Sequence, residues 1–176
     1  GALWQHMVST ALATQHLAAA LKVRLANYAF TAALIHDVGK VALGYAVEAY
    51  SHDIMQLAFE DDMPFEQAER EVLGIDHAEA GAILLENWNI PAEIVNVVRW
   101  HHTPEESDVE DIVLDMVHIA NSLTMTTGMG IGTDGLNYKP SEEVMARHKV
   151  RIKTFEKVLT QTMISKEELK SFFGGL

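Results

Sequence analysis

The sequence predicts an all-α protein, and three observations carry that prediction. Apolar residues recur at three- and four-residue spacing along nearly the whole chain. Sustained two-residue alternation, the mark of a half-buried strand, occurs nowhere. Proline, aspartate, serine and glycine fall where helices are expected to start and stop.

The first helix is expected from Ala2 to Leu21. It contains no Asp, Glu, Lys or Arg, but Gln5, His6, Ser9, Thr10, Thr14, Gln15 and His16 interrupt it. A spanning helix tolerates few such groups, so this segment reads as a central bundle helix and no membrane association is expected. A second helix runs from near Asn27 to His36, where Asp37-Val38-Gly39-Lys40 breaks the regularity before a third stretch to about Tyr50. His52-Asp53 then reads as a helix start. Pro64 opens a short helix that ends at Gly74, proline first and glycine last. Asp76 and Glu79 form a capping-box pattern ahead of Ala80 to Trp88, and Pro91 starts a helix ending near His101 and His102. Asp108 is the expected cap of a helix to about Met125. Trp4, Trp88 and Trp100 read as core packing.

These helices make a core over residues 1–127. Residues 128–140, with Gly128, Gly130, Gly132, Gly135 and Pro140, form a glycine-rich connector, a flexible flap near the site. The run Gly130 to Gly135 has dinucleotide-fingerprint spacing, but it follows a helix rather than a strand, so the βαβ context that gives that motif its mechanism is missing. Residues 141–176 form a short C-terminal helical extension of two or three amphipathic helices at the bundle's edge, with Ser165 and Glu168 as a further capping box.

Composition narrows the function. The 176 residues carry 25 acidic and 13 basic side chains, net −12, with 48% hydrophobic residues. That apolar content belongs to a folded domain, and a field of this sign repels a nucleic-acid backbone. The absence of cysteine excludes disulfides, thiolate zinc sites and cysteine nucleophiles, so any metal binds through His, Asp or Glu. With no basic segment leading the first apolar stretch, no secretion signal is expected, and a cytoplasmic location fits.

The chemical signal lies in the nine histidines. His36-Asp37 closes a strongly apolar helix, His77 falls in the first turn of another, and His101-His102 end a third. Singly, each has an ordinary reading as a core or surface group. Together, imidazoles converging at helix ends beside one carboxylate offer the donors of a first-row divalent metal site.

The order His6, His36-Asp37, His77 and His101-His102 resembles the HD superfamily of metal-dependent phosphohydrolases. The wording is similar to its HDOD branch in Leu3-Trp4-Gln5-His6, Ala33 to Lys40, Asp76 to Leu85, Trp88-Asn89-Ile90-Pro91 and His101-His102-Thr103-Pro104, a match from residue 3 to about 125. The resemblance implies an HD-type helical bundle holding one or two divalent ions (Fe, Mn, Ni or Zn). By that analogy His6, His36, Asp37, His77, His101 and His102 are metal ligands, with Asp37 bridging. Lys40 contacts a phosphate oxygen, its alternative being a solvated surface lysine. Asp37, Lys40, His77 and His102 form the catalytic set, with His77 or His102 as proton carrier. The substrate implied is a nucleotide or another small phosphoester, in a bacterial signalling protein.

Two departures qualify this. Asn121 stands where HD enzymes usually supply a late aspartate, and an amide oxygen brings no charge to a hard cation. Asp115 and His118, nearby on that helix, are expected as supporting or surface groups. Thr103 to Ser107 lacks the extended signature of the HD-GYP branch, which argues against cyclic di-GMP cleavage. A second reading is therefore a catalytically inactive module that recognises a protein partner. Because HDOD domains commonly carry a preceding helical segment, the chain resembles the later half of one.

Overall fold

Ten α-helices and one 3-10 turn follow one another in the computed structural model, which describes residues 1–60, 63–127, 138 and 140–173. They are α1 (Ala2–Leu21), α2 (Ala29–Ile35), α3 (Val38–Ala49), α4 (Ser51–Glu60), α5 (Phe65–Leu73) and α6 (His77–Asn87), then α7 (Ala92–Trp100), the 3-10 turn Pro104–Glu106, α8 (Ile112–Thr126), α9 (Glu142–Arg147) and α10 (Ile152–Phe173). No strand occurs among the described residues, so the chain is all-α. Among those residues no helix is long and apolar enough to cross a membrane.

Local chemistry sets most of the boundaries. Pro64 and Pro91 sit just before α5 and α7, and Gly74 ends α5 at φ 76°, a left-handed conformation that glycine adopts without a Cβ penalty. Asp76 caps α6 by accepting from the Glu79 amide at 2.8 Å. The Glu79 carboxylate pairs instead with Arg99 on α7. Asp111, not Asp108, caps α8, accepting from the Val113 amide at 2.8 Å, so the helix begins later than its sequence suggests.

Packing places the ends of five helices against one another. α1 lies against α2, α8 and α10, α3 lies along α6, and α7 touches α2, α6 and α8. One apolar cluster joins Ala11, Ala29, Ala32, Ala33, Ala82, Leu85, Val97, Val98 and Val113, its alanines allowing close helix approach. A second joins Ala13, Leu17, Met116, Ile119 and Leu123 to Val144 and Val158 of the extension. α1 and α8 contribute to both.

Among the described residues the extension contains two helices. α10 runs unbroken through Ser165, whose hydroxyl bonds the His16 ring on α1 at 3.1 Å instead of capping a new helix. Trp4 and Trp88 are exposed at 42% and 60%, so they do not pack the core, while Trp100 is half-buried. The connector at 128–140 lies outside the described residues except for Tyr138 and Pro140.

Candidate metal centre

The centre is built where helices stop. His36 is the residue after α2 and His101 the residue after α7, and each places its ring Nδ1 on the carbonyl three residues earlier, Ala33 at 2.8 Å and Val98 at 2.7 Å. A carbonyl only accepts, so Nδ1 carries the hydrogen and both Nε2 lone pairs face inward. Asp37 stands between α2 and α3, and His77 opens α6. His6 enters from the first turns of α1.

These groups meet around one carboxylate. Asp37 Oδ2 lies 3.4 Å from His6 Nε2, 3.6 Å from His36 Nε2 and 2.9 Å from Lys40 Nζ. Its Oδ1 lies 3.3 Å from His77 Nε2 and 3.6 Å from His101 Nε2. His102 joins through its Nε2, 2.8 Å from that of His77. Two donor groups result, His6-His36-Asp37 and Asp37-His77-His101-His102, with Asp37 in both. His6, His36, Asp37, His77 and His101 are 1% exposed or less, while His102 is half-buried.

Burial and charge tune these groups in opposite directions. Burial lowers His6 to about 3 and His36 to about 4, partly opposed by Asp37. His101 and His102 are lowered for the same first reason. Burial also acts to raise Asp37, but Lys40, His36, His101 and His77 together outweigh it and hold the carboxyl well below its ordinary range. For His77 burial and Lys40 act downward, yet Glu69 and Asp37 carry the ring up to about 9.

Among the described residues, five buried atoms of this centre find no hydrogen-bond partner: Nε2 of His6, His36 and His101, Asp37 Oδ1 and Asn121 Oδ1. Polar atoms withdrawn from water and left unpaired cost free energy, and here they gather at one place. The donors are imidazole nitrogens and one carboxylate, a set suited to Mn, Fe, Ni or Zn rather than Ca or Mg. The residues present fit such an ion.

All eight residues singled out from sequence lie at or beside this centre. Lys40 is largely buried and paired with Asp37, so it is no solvated surface lysine. Asn121 stands beside His6. Two supports, Glu69 and Tyr138, were not anticipated, and His118 takes the supporting one of the two roles expected of it. Glu69, on α5, accepts from the His77 backbone amide at 3.0 Å and lies 2.5 Å from His77 Nδ1. His118 is buried rather than superficial. The Ser141 amide donates to its Nε2 at 2.8 Å, so its Nδ1 carries the hydrogen that reaches the His101 carbonyl at 2.8 Å. Tyr138 sets its ring against His102 and its hydroxyl 3.3 Å from the same carbonyl. Asp115 is buried too, but it serves α9, bonding Arg147 at 2.9 Å and His148 at 2.7 Å. The one sequence signal for Glu69 was its row: it shares a helix face with Phe65, Val72 and Leu73, an odd place for a carboxylate.

An all-helical bundle whose helix ends close on a buried histidine-aspartate centre defines the class, a domain of HD type. The sequence matches the HDOD domain over residues 1–104, more than half of the chain, and the chain belongs to that family. An uncharacterized protein of Treponema pallidum (strain Nichols) is 30% identical over 77 residues, 42% of this chain and 15% of that one. Among solved structures, an HDOD domain protein of unknown function from Geobacter sulfurreducens superposes with TM-score 0.66 at 21% identity, covering 97% of this chain and 59% of that one. A Shewanella amazonensis SB2B protein provisionally named a phosphohydrolase gives 0.67 at 21%, covering 94% and 62%. A Marinobacter aquaeolei VT8 protein provisionally named a signal transduction protein gives 0.76 at 18%, covering 97% and 38%. At these identities the structures show a shared fold, and this chain spans less than two thirds of each relative.

Proposed function

We propose that the domain holds one or two divalent first-row ions on His6, His36, Asp37, His77, His101 and His102, with Asn121 as a neutral oxygen donor. We further propose that it hydrolyses a nucleotide or another small phosphoester within a bacterial signalling protein. The observation that carries this is the set of buried, unpartnered lone pairs facing Asp37. Bound there, such an ion supplies Lewis-acid polarisation of a phosphoryl oxygen and acidifies water. The protein's own groups do the rest. Lys40 brings positive charge for a phosphate oxygen into a chain of net −12. Without an ion the Nε2 atoms of His77 and His102, 2.8 Å apart, share one proton; an ion held on both nitrogens would displace it, and the half-buried His102 gives it a way out.

A second reading, a signalling module without turnover that recognises a protein partner, is favoured by Asn121 and by the near-complete burial of the ligand set. Elemental analysis of protein purified without chelator tests metal binding: stoichiometric Mn, Fe, Ni or Zn is expected in wild type and lost in His36→Ala and Asp37→Ala. A folded wild type free of metal would sink it. Hydrolysis of a generic phosphodiester then separates the two readings. Turnover abolished in Asp37→Ala supports the enzyme, and equal rates in both proteins support the partner-binding module.

A further inference from the structure

Glu69 does more than accept from the first amide of α6. Its side chain is fully buried on the inner face of α5, beside Ala68 at 0% exposure. Oε2 takes both of its hydrogen bonds from one residue, the His77 backbone amide at 3.0 Å and the ring Nδ1 at 2.5 Å. Oε1 is buried with no partner among the described residues. A buried carboxylate costs several kcal/mol in the absence of compensation, and a glutamine would cap the amide without that cost. The charge is therefore retained for the ring.

Carboxylate oxygens only accept, so Nδ1 carries the hydrogen in either charge state of His77. The ring is pinned with Nε2 directed toward Asp37 Oδ1 at 3.3 Å and His102 Nε2 at 2.8 Å. Gly74 makes this possible: its left-handed turn at φ 76° reverses the chain between α5 and α6, so Glu69 comes back to the residue opening the next helix. Where His36 and His101 are oriented by neutral carbonyls of their own helices, His77 is oriented by a charged group from another element.

We infer that Glu69 is a positioning residue for metal binding: it fixes the tautomer and aim of His77 and raises the donor strength of its Nε2. The inference rests on the reading of the centre as a metal site. Carboxylate partners of ligating histidines are worth about 10- to 100-fold in metal affinity.

The test is Glu69→Gln, which keeps an oxygen for the His77 backbone amide while removing the charge opposite the ring. Co2+ is the probe, its affinity measured by chelator competition and its site by the visible spectrum. The expected result is affinity weakened about 10- to 100-fold with an altered spectrum, while the metal-free variant keeps the wild-type circular dichroism. Restoration of the wild-type spectrum in Glu69→Asp would support the same conclusion. Wild-type affinity and spectrum in Glu69→Gln would overturn the inference and leave the metal site standing, whereas a wild type that takes up no Co2+ removes both. Should Glu69→Gln fail to fold, 15N-edited NMR of Zn2+-loaded wild type decides: a His77 Nδ1 proton shifted downfield of those on His36 and His101 shows the charge-assisted bond to Glu69, and one at their position refutes it.

Discussion

Asn121 brings a neutral amide oxygen to a centre whose other oxygen donor, Asp37, carries a full charge. Its Oδ1 is buried beside His6 and has no hydrogen-bond partner among the described residues, which makes it a candidate oxygen donor. A carboxylate at this position adds Coulomb attraction where little water screens it. Asn121→Asp is expected to tighten binding of Mn2+ or Fe2+ by about tenfold or more, roughly 1.4 kcal/mol. The same change leaves an uncompensated charge in the metal-free protein, so its thermal midpoint falls while the rise on adding metal grows. Titration calorimetry and thermal melts read the two effects. Unchanged affinity would mean that Asn121 points away from the ion.

At the level of elements, the centre depends on how closely α3 approaches α6. A Cβ on Gly39 would stand 1.8 Å from the His77 carbonyl oxygen and 2.7 Å from the Gly81 nitrogen, so only glycine allows this contact. Gly44, later on the same helix, meets nothing within 4 Å. Gly39→Ala is expected to cost about 3 kcal/mol in urea unfolding, the upper end of overpacking, and to weaken metal binding by separating Asp37 from His77. Gly44→Ala should gain about 0.5–1 kcal/mol. Equal effects at the two sites would refute the close approach. Punctuation and ligand order were readable from sequence: α1 has the expected ends, Pro64 and Pro91 mark expected starts, Gly74 marks an expected stop, and the histidine order points to the centre. Elements set by tertiary partners were not. Asp111 rather than Asp108 caps α8, with its other carboxylate oxygen 2.9 Å from the Tyr28 hydroxyl. Ser165 looks like a cap but bonds His16, on a helix 149 residues earlier in the chain. Glu69 and His118 act on His77 and His101 through folds of the chain that no local spacing encodes.

Across the whole molecule, a chain of net charge −12 buries a cluster of histidines around Asp37, and this makes stability depend on pH. His6 and His36 are lowered by burial to about 3 and about 4, and burial lowers His101, His102 and His118 as well. Above their ordinary pKa of about 6.5 these rings are neutral folded or unfolded, and the shift has no effect. Below it the unfolded chain takes up protons that the native centre refuses, so native stability falls with falling pH until the folded values are reached. The slope is about 1.4 kcal/mol per pH unit for each net proton. His77 works the other way. Raised to about 9, it contributes stability that is fully present below about 6.5 and lost as pH rises through 9. Asp37, held low, adds stability above its ordinary value that disappears only in stronger acid. Urea unfolding of chelator-treated protein should therefore show stability rising steeply from about pH 4.5 to 6.5 and declining gently toward pH 9. A divalent ion must displace the proton that His77 holds below about 9, whereas His6 and His36 stay neutral in the fold down to about 3 and about 4, so its stabilisation should be larger at about pH 7.5 than at about pH 5. A flat profile between about pH 4.5 and 6.5 would mean that these rings are open to water, and that the lone pairs facing Asp37 are satisfied by solvent rather than held for an ion.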